Sequence, residues 1–518
     1  MAAPSTYYIT TPIYYVNDIP HIGHAYTTLA CDVLARFKRL DGYDVKFLTG
    51  TDEHGQKVEK SAQDKGVAPK DFTDEVSLRF RELLGVMNFS HDDFIRTTEV
   101  RHKLATQALW KRLQDNGDIY LDKYAGWYSV RDEAFYAEKE LTKDADDNFL
   151  APTGAPVEWV EEASYFFRLS AWGERLLKFY DENPDFILPK SRRNEVLSFV
   201  EGGLLDLSVS RTTFKWGIPV PGDEDHIMYV WLDALTNYIT AVGFPNDDEE
   251  TFQKFWPADL HMVGKDILRF HAVYWPAFLM AADIAPPKRV FAHGWWTNEG
   301  QKISKSVGNV IDPLELVETY GLDAVRFFLM REVPFGNDGD FSRSAMVARM
   351  NGELANDLGN LAQRVLSMVN KNCDGALPTF GDFSDDDNAM LAQAHGLLNQ
   401  VRAHMDVQAF NFALEDVWLL IRGCNGYVDR QAPWKLKKED PDRMATVLYV
   451  LAECIRHIAI LLQPFMPDSM NKMLDLLAVE AEARSFASLG ADHALKPGII
   501  IDKPEGVFPR YVEEEQGA

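Results

Sequence analysis

The chain has 518 residues, of which 46% are apolar and 25% are charged, and its formal net charge is −26 at pH 7. This length predicts roughly two to four domains, and the acidic balance excludes a protein that binds polyanions over its whole surface. The four cysteines form no Cys-x-x-Cys pair, which disfavours a disulfide framework or a zinc knuckle and favours the cytoplasm.

The first elements follow the order strand, helix, strand. Residues 7–13 are rich in β-formers, apolar residues recur at helical spacing from 29 to 40 until Asp41-Gly42, and 45–49 form a second strand pattern. The N-terminus has no basic and apolar leader, so we expect no signal peptide. This order predicts a doubly wound parallel sheet that binds ligands at the carboxyl ends of its strands.

The pattern changes twice further along the chain. Residues 117–225 contain short aromatic segments between Gly, Pro and acidic turns, which indicates an inserted module and not another α/β repeat. The sheet pattern returns as strands at 260–264 and 290–296, with a helix at 267–282 between them. Beyond 344 the periodicity is helical, in the stretches 345–371, 388–405, 408–430 and 441–464. The apolar stretch 445–466 contains Glu453, Arg456 and His457, so we expect a buried helix and no membrane span.

Two short segments indicate a site for nucleotide phosphates. Pro20-His21-Ile22-Gly23-His24 lies where a strand passes into a helix, whose unpaired N–H groups can meet an anion. Lys302-Ile303-Ser304-Lys305-Ser306 puts two lysines in a loop far downstream. Alone, the first segment is most often a helix cap and the second a solvated loop. Together and in this order, they favour a phosphate site.

These segments resemble the two signatures of class I aminoacyl-tRNA synthetases, and the chain is most similar to the methionyl-tRNA synthetase family. The resemblance spans almost the whole chain, with Ile303 where methionine is commoner. It includes further motifs at 11–17, 50–55, 231–234, 264–267, 293–294 and 432–434.

The resemblance implies that ATP, with Mg²⁺, activates L-methionine to methionyl-adenylate and pyrophosphate. Methionine is then transferred to the terminal adenosine of tRNA(Met), both initiator and elongator. The implied catalytic residues are His21, His24, Lys302 and Lys305. The implied ATP-binding residues are His21, Gly23, His24, Gly264, Asp266, Gly294 and Lys305. Asp266 would bind the ribose, and the lysines would bind pyrophosphate.

The resemblance also implies a methionine pocket that is apolar apart from Asp52, which would bind the substrate ammonium. The residues assigned to this pocket are Ile13, Tyr15, Asp52, Trp231, Ala234, Leu235, Tyr238 and His293. The Ile13 N–H and the Tyr238 hydroxyl would donate to the weakly accepting sulfur. Leu235 replaces a proline of some relatives. Without the resemblance, an aromatic stripe at 231 and 238 would indicate core packing.

For the tRNA anticodon the resemblance implies Asn360, Arg364 and Trp434, because an aromatic ring can stack an unpaired base while amide and guanidinium groups read its edge. Without the resemblance, a tryptophan after a proline most often serves packing. Lys435, Lys437 and Lys438 could hold phosphates beside Trp434.

One departure concerns zinc. Many relatives carry cysteine knuckles in the insertion, but this chain has Ser129 at such a position and no cysteine in the module, so we expect no structural zinc and no metal site. The chain also ends before the C-terminal dimerisation domain of some relatives. We therefore expect a monomer without membrane association.

The expected fold is α/β, a Rossmann-like doubly wound parallel sheet interrupted by the inserted module and followed by an all-α C-terminal helix bundle. The expected domains are 1–116 and 227–297 for the two halves of the catalytic domain, 117–226 for the zinc-less insertion, 298–345 for the lysine-loop and stem-contact region, 346–500 for the anticodon-binding domain, and 501–518 for the tail.

Several alternatives remain. Leucine, isoleucine and valine synthetases have a much larger editing insertion, and the cysteine enzyme needs a cysteine-ligated zinc. A small nucleotidyltransferase would have no use for the helical third. A catalytically inactive, tRNA-binding paralogue is disfavoured because both histidines, both lysines, Asp52 and Asp266 are retained.

Overall fold

The structure is a computed structural model that describes residues 4–16, 19–132, 134–144, 146–246, 248–303 and 308–512, with the backbone alone at 124, 134, 161 and 162. The chain forms two compact units. The sheet unit consists of Thr6–Pro20 and Lys46–His293, and the helical unit consists of Met1–Ser5, His21–Val45 and Gly294–Ala518.

The strands are β1 (Thr6–Thr10), β2 (Tyr14–Tyr15), β3 (Asp44–Asp52), β4 (Asp93–Arg96), β5 (Ile119–Ser129), β6 (Ala134–Tyr136), β7 (Thr142–Lys143), β8 (Phe149–Leu150), β9 (Glu158–Phe167), β10 (Ile187–Leu188), β11 (Leu207–Ser208), β12 (Ser210–Arg211), β13 (Pro219–Val220), β14 (Asp223–Met228), β15 (Leu260–Gly264), β16 (Val290–His293), β17 (Trp296–Asn298), β18 (Gln301–Lys302) and β19 (Gly339–Phe341).

The α-helices are α1 (Ile22–Leu40), α2 (Gln56–Lys65), α3 (Pro69–Val86), α4 (Val100–Asp115), α5 (Gly173–Glu182), α6 (Lys190–Glu201), α7 (Val230–Thr240), α8 (Glu250–Phe255), α9 (Trp275–Ala281), α10 (Pro313–Tyr320), α11 (Leu322–Arg331), α12 (Arg343–Arg349), α13 (Asn360–Asn372), α14 (Asp385–Met405), α15 (Phe410–Gln431), α16 (Pro433–Glu439), α17 (Pro441–Leu462) and α18 (Pro467–Leu476). Short 3₁₀ turns lie at Glu138–Glu140, Leu169–Trp172, Lys265–Ile267, Ala481–Ala483, Phe486–Ser488 and Ala491–His493, and π-helical turns at Phe270–Tyr274 and Met350–Gly359.

The main sheet has the strand order β10-β16-β15-β1-β3-β2, with β4 also paired to β3. The pairs β1–β15, β15–β16, β10–β16, β2–β3 and β3–β4 are all parallel. Strand order reverses at β1, with β3 on one side and β15 on the other. A parallel sheet of this kind binds ligands outside the carboxyl ends at this reversal.

The core of the sheet unit packs against this sheet. It includes Tyr8 of β1, Trp110 of α4 and Trp275 and Phe278 of α9, all fully buried. Each such side chain contributes about 1.5–3 kcal/mol relative to an exposed position. The core therefore fixes the strand ends that carry the candidate site.

The interval 117–226 contains a smaller sheet of order β11-β9-β5-β6, in which β5 and β9 form a long antiparallel ribbon. This ribbon agrees with the aromatic pattern. However, the interval also holds helices α5 and α6 and strand β10, and β10 pairs with β16 in the main sheet. The interval therefore forms a sheet of its own and also contributes one strand to the main sheet.

The helical unit includes α1, which begins at the first signature. Asp32 of α1 and Arg326 of α11 form an ion pair of 2.6 Å whose two side chains are fully buried. Arg326 also donates to the carbonyls of Pro464 and Phe465, at 2.9 and 3.0 Å. These bonds attach the signature helix to the C-terminal helices.

The predicted helices of the last third are confirmed at α14, α15 and α17, and the α/β fold with a helical C-terminal region is confirmed. Helix α17 is apolar and long enough to cross a membrane, but 94% of its most apolar window is buried inside the protein. That burial is typical of a core helix and agrees with the predicted buried helix.

Two predicted elements are interrupted. The strand expected at 290–296 is divided at Gly294 into β16 and β17, which lie in different sheets. A Cβ at Gly294 would lie 2.3 Å from the Asn337 carbonyl oxygen, so only glycine fits where the chain leaves the first sheet. The helix expected at 267–282 consists of a 3₁₀ turn, a π-helical turn and α9, which begins just before Pro276.

Candidate active site

The carboxyl ends of five main-sheet strands carry residues that the sequence assigns to one site. Ile13 follows β1, Tyr15 ends β2, Asp52 ends β3, Asp266 follows β15 and His293 ends β16. The sheet unit therefore presents two carboxylates, an aromatic ring and an imidazole at the edge where parallel sheets bind ligands.

Asp52 is the last residue of β3 and is held in place by hydrogen bonds. Its side chain is buried, it pairs with Tyr15 in the β2–β3 register, and its carbonyl accepts from the Val16 N–H at 3.2 Å. The next residue, Glu53, receives both Nε and Nη2 of Arg96, at 2.6 and 3.0 Å. A charged group fixed by its backbone in this way is suited to orient a substrate ammonium.

Helix α7 carries four of the residues predicted to line the methionine pocket. Ala234, Leu235 and Tyr238 are buried, whereas Trp231 is partly exposed. The Trp231 ring stacks on Phe270 with 3.7 Å between centroids and an interplanar angle of 7°. Phe270, which the sequence analysis missed, thus extends the aromatic surface.

Tyr238 makes a hydrogen bond that bears on its predicted role. Its hydroxyl lies 2.7 Å from His271 Nε2, and His271 Nδ1 lies 2.9 Å from the Ile267 carbonyl. A carbonyl only accepts, so Nδ1 carries the ring proton and Nε2 accepts from Tyr238. Burial lowers the pKa of His271 to about 4, which keeps the ring neutral. In this arrangement the hydroxyl proton is directed to His271, and donation from Tyr238 to a substrate sulfur stays a prediction.

His271 is a site residue that the sequence analysis missed, since it lies within a segment that otherwise shows only helical packing. The available signal was a histidine four residues after Ile267 within an apolar aromatic stretch. His293, the histidine predicted for the pocket, stands at the end of β16 in register with Gly264.

A second neutral imidazole lies beneath Tyr238. The His261 ring stacks on Tyr238 at 4.1 Å between centroids. The Trp275 indole donates to His261 Nε2 at 3.3 Å, so Nδ1 carries the proton and donates to Thr10 Oγ1 at 2.8 Å. Burial lowers the pKa of His261 well below its ordinary value. The floor of this site is therefore uncharged at neutral pH.

Gly264 and Asp266 lie together at the end of β15. A Cβ at Gly264 would come within 2.6 Å of Asp266 Oδ1, so a side chain there would displace the carboxylate. The glycine thus leaves room for Asp266 at the strand end, where acidic residues bind ribose in many nucleotide sites.

In the helical unit, both signature histidines cap helix α1. The Gly23 N–H donates to His21 Nδ1, and the His21 N–H donates to His24 Nδ1, each at 3.1 Å. Burial, assisted by His21, lowers the pKa of His24 well below its usual range. With Nδ1 accepting, the proton of the neutral His24 ring is on Nε2, and the same tautomer suits His21. Both histidines therefore cap the helix. In this tautomer Nε2 of each ring carries the proton, which it can donate to an anion.

The second signature is only partly described. Lys302 ends β18, and its ammonium lies 5.9 Å from the centre of the Trp295 ring. Lys305, predicted to be catalytic, lies outside the described residues. Gly294 is predicted to bind ATP. A glycine is needed at this position because a Cβ would collide with the Asn337 backbone.

The predicted anticodon residues lie on the helical unit. Asn360 begins α13, with Arg364 one turn later. The Arg364 guanidinium lies 5.7 Å from the centre of the Trp434 ring and 3.2 Å from Asp429 Oδ1. Trp434 is 47% exposed, which argues against the alternative that this tryptophan only packs in the core.

One group of potential metal ligands occurs in the described ranges: His395, Glu453 and His457. Two of its members, Glu453 and His457, already have protein partners. Glu453 binds Arg456 through both oxygens, at 2.6 and 3.0 Å, and His457 contacts the Glu453 carbonyl and the Gly490 N–H. A metal there would have to displace these bonds, so the geometry does not favour a metal site.

Polar contacts around Asp132 hold the loop that follows Ser129, the position discussed for zinc in the sequence. Tyr136 donates to Asp132 at 3.0 Å, Thr153 also donates to it, and its N–H lies 3.3 Å from Ser129 Oγ. Hydroxyl groups of this kind are not zinc ligands.

A parallel sheet with ligand groups at its carboxyl ends, histidines that cap the first helix and a helical C-terminal region define a class I aminoacyl-tRNA synthetase. Residues 7–366 match the family described as tRNA synthetases class I (M), and residues 377–518 match the anticodon binding domain of methionyl tRNA ligase. The chain belongs to the methionyl-tRNA synthetase family.

The chain is similar to the methionine–tRNA ligases of Rickettsia felis, with 60% identity, and of Brucella suis, with 58%; each alignment covers 98% of this chain and 99% of the relative. It is also similar to a solved structure of the Mycobacterium tuberculosis methionyl-tRNA synthetase in complex with methionyl-adenylate. That comparison has a TM-score of 0.96 and 55% identity, and it covers 98% of this chain and 100% of the other.

Proposed function

We propose that this chain is a methionine–tRNA ligase, which joins methionine to tRNA(Met) at the expense of ATP for protein synthesis and its initiation. The observation that carries this function is the similarity, over nearly its full length, to an enzyme solved with methionyl-adenylate. The apolar site beside Asp52 supports the same substrate.

In the first step a carboxylate oxygen of methionine attacks the α-phosphorus of ATP. The bond between the α-phosphorus and the bridging oxygen breaks, and pyrophosphate leaves. Mg²⁺ accompanying ATP would supply positive charge to the phosphates. His21 and His24 donate from Nε2 to phosphate oxygens, and Lys302 and Lys305 bind the departing pyrophosphate. Donors placed where charge develops are the main source of acceleration in such transfers.

The nucleoside and amino acid are held by the sheet unit. Asp266 accepts from the ribose hydroxyls, and Gly264 allows close approach of the nucleotide. The ATP-binding roles implied for Gly23 and Gly294, which belong to the helical unit, stay predictions. Asp52 binds the ammonium of methionine. The side chain lies among Ile13, Tyr15, Trp231, Ala234, Leu235, Tyr238 and His293, together with His271 and Phe270.

The thioether offers only dispersion and a weak acceptor, so an uncharged aromatic site suits it. The Ile13 N–H donates to the sulfur, and the Tyr238 hydroxyl is a second donor once its proton turns from His271 to the ligand. Leucine and isoleucine lack that acceptor and leave the donor unpaired, which penalises them beyond their shape.

In the second step the adenylate carbonyl is attacked by a hydroxyl of the terminal adenosine of tRNA(Met), and AMP leaves. Trp434, Asn360 and Arg364 bind the anticodon. The domain limits at 116, 226, 297, 345 and 500 divide these tasks along the chain. The enzyme works in the cytoplasm as a monomer, without zinc.

ATP–pyrophosphate exchange on the purified protein without tRNA tests this function. Methionine should support exchange, whereas leucine, isoleucine, valine and cysteine should support little. Folded protein that exchanges with no amino acid would indicate a tRNA-binding paralogue without catalysis. Exchange with another amino acid would indicate a different member of the class.

A further inference from the structure

Two motifs of the sequence meet at one buried carboxylate. Asp233 Oδ2 lies 2.6 Å from His54 Nδ1, and Oδ1 lies 2.7 Å from His102 Nε2. The three side chains are at most 3% exposed. Because an ionised carboxylate can only accept, both imidazole nitrogens donate to it.

This carboxylate is charged at neutral pH. Burial would raise the pKa of Asp233, but the two imidazoles outweigh burial and lower the pKa to about 2. A buried charge is tolerated only while its partners stay in place. Asp233 therefore fixes the distances among the turn after β3, helix α4 and helix α7.

Two hydroxyl groups lie against the His102 ring. Thr106 Oγ1 lies 3.2 Å from Nε2, and Thr240 Oγ1 lies 3.4 Å from Nδ1. Thr240 is the last residue of α7, so His102 contacts that helix at Asp233 and at its end.

The cluster adjoins the residues that bind methionine in the proposed function. His54 follows Asp52 by two residues, and the intervening Glu53 is locked by Arg96. Asp233 follows Trp231 by two residues and precedes Ala234 on the same helix. One end of the cluster thus holds the ammonium-binding turn, and the other holds the aromatic wall.

We propose that Asp233, with His54 and His102, forms a positioning cluster that sets the distance between the Asp52 carboxylate and the aromatic wall on α7, and so the affinity for free methionine. This inference rests on the proposed function. A substrate that is bound at both ends loses affinity when the groups that bind its two ends shift by about an ångström relative to each other.

The test compares four variants with the wild-type enzyme in ATP–pyrophosphate exchange. Asp233→Asn puts an amide N–H₂ against one histidine donor, and His54→Ala removes the link to the Asp52 turn. His54→Asn restores a donor near the Nδ1 position. Thr236→Val is the matched control, because its buried hydroxyl donates within α7, to the Leu232 carbonyl, and makes no other side-chain bond to the described residues.

Asp233→Asn and His54→Ala should raise the KM for methionine by about 10- to 100-fold, the effect of losing a hydrogen bond to a charged group, with the KM for ATP within about twofold. His54→Asn should recover most of the methionine affinity, and Thr236→Val should match the wild type. If Asp233→Asn fails to fold, the methionine KM values of the two His54 variants test the inference.

Equal changes in both KM values, or an unchanged methionine KM in folded Asp233→Asn and His54→Ala, would overturn the inference. A His54→Asn variant as impaired as His54→Ala would also overturn it. The absence of methionine-dependent exchange in the wild-type enzyme would instead refute the proposed function.

Discussion

The buried ion pair between Asp32 and Arg326 gives a quantitative prediction for Asp32→Asn. Asp32 also accepts from Arg36 Nε at 2.8 Å, so the substitution removes the charge that faces two guanidinium groups. Breaking a buried pair by removing one partner costs about 3–5 kcal/mol. Arg326 keeps its bonds to the Pro464 and Phe465 carbonyls, and the amide can still accept one hydrogen bond. We therefore expect a loss of about 3 kcal/mol in the free energy of unfolding of the helical unit.

Urea unfolding followed by circular dichroism measures this loss as a shift of the midpoint multiplied by the slope. Asp386→Asn is the matched control on the same unit. Its pair with Arg430 is 3.4 Å long and about half exposed on both sides, so its loss should cost at most about 1 kcal/mol. If the two variants differ by less than about 1 kcal/mol, the buried pair does not hold the signature helix in the way described.

Four further outcomes are expected. Lys305→Ala should lower the rate of adenylation by about 100-fold, the scale of one lost oxyanion donor, in single-turnover assays; a near-wild-type rate would remove Lys305 from the mechanism. Trp434→Ala should abolish most tRNA charging while exchange stays normal, and normal charging would exclude anticodon stacking at this residue. Arg443 and Tyr427 outweigh burial and lower the pKa of Asp387 from 3.8 to about 2, so its stabilisation is complete above pH 4 and is lost as the pH falls toward 2. Acid unfolding of Asp387→Asn should therefore be less steep in that range, and identical profiles would contradict the assignment. Finally, Asp132→Ala should lower the melting temperature, whereas a zinc chelator should not change that of the wild type; a chelator-induced shift would reveal a metal.

Local sequence patterns were sufficient to predict those elements whose structure is determined by their own residues. The apolar spacing in α1 and its stop at Asp41 give the helix and its end, as do the long periodic stretches of α14, α15 and α17. These helices bury a continuous apolar stripe, so their period is visible in the sequence.

Contacts between residues that are far apart in the sequence could not be predicted from local patterns. Strand β10 is only two residues long, and only its pairing with β16 makes it part of the main sheet. The break at Gly294 depends on the Asn337 backbone. His271 was missed because its partner, Tyr238, lies 33 positions earlier on another helix. Site residues at strand ends could be predicted from the sequence because parallel sheets bind ligands there. The hydrogen-bond partners of these residues could not be predicted.

The division of the helical unit along the chain has a consequence for synthesis on the ribosome. Arg326 follows Asp32 by 294 positions, so α1 emerges long before the residue that neutralises its buried carboxylate. At about 5–20 residues per second the delay is roughly 15–60 s. During that interval Asp32 has Arg36 of the same helix as its partner, and α1 gains its link to the C-terminal helices only after Arg326 and the carbonyls of Pro464 and Phe465 have been made.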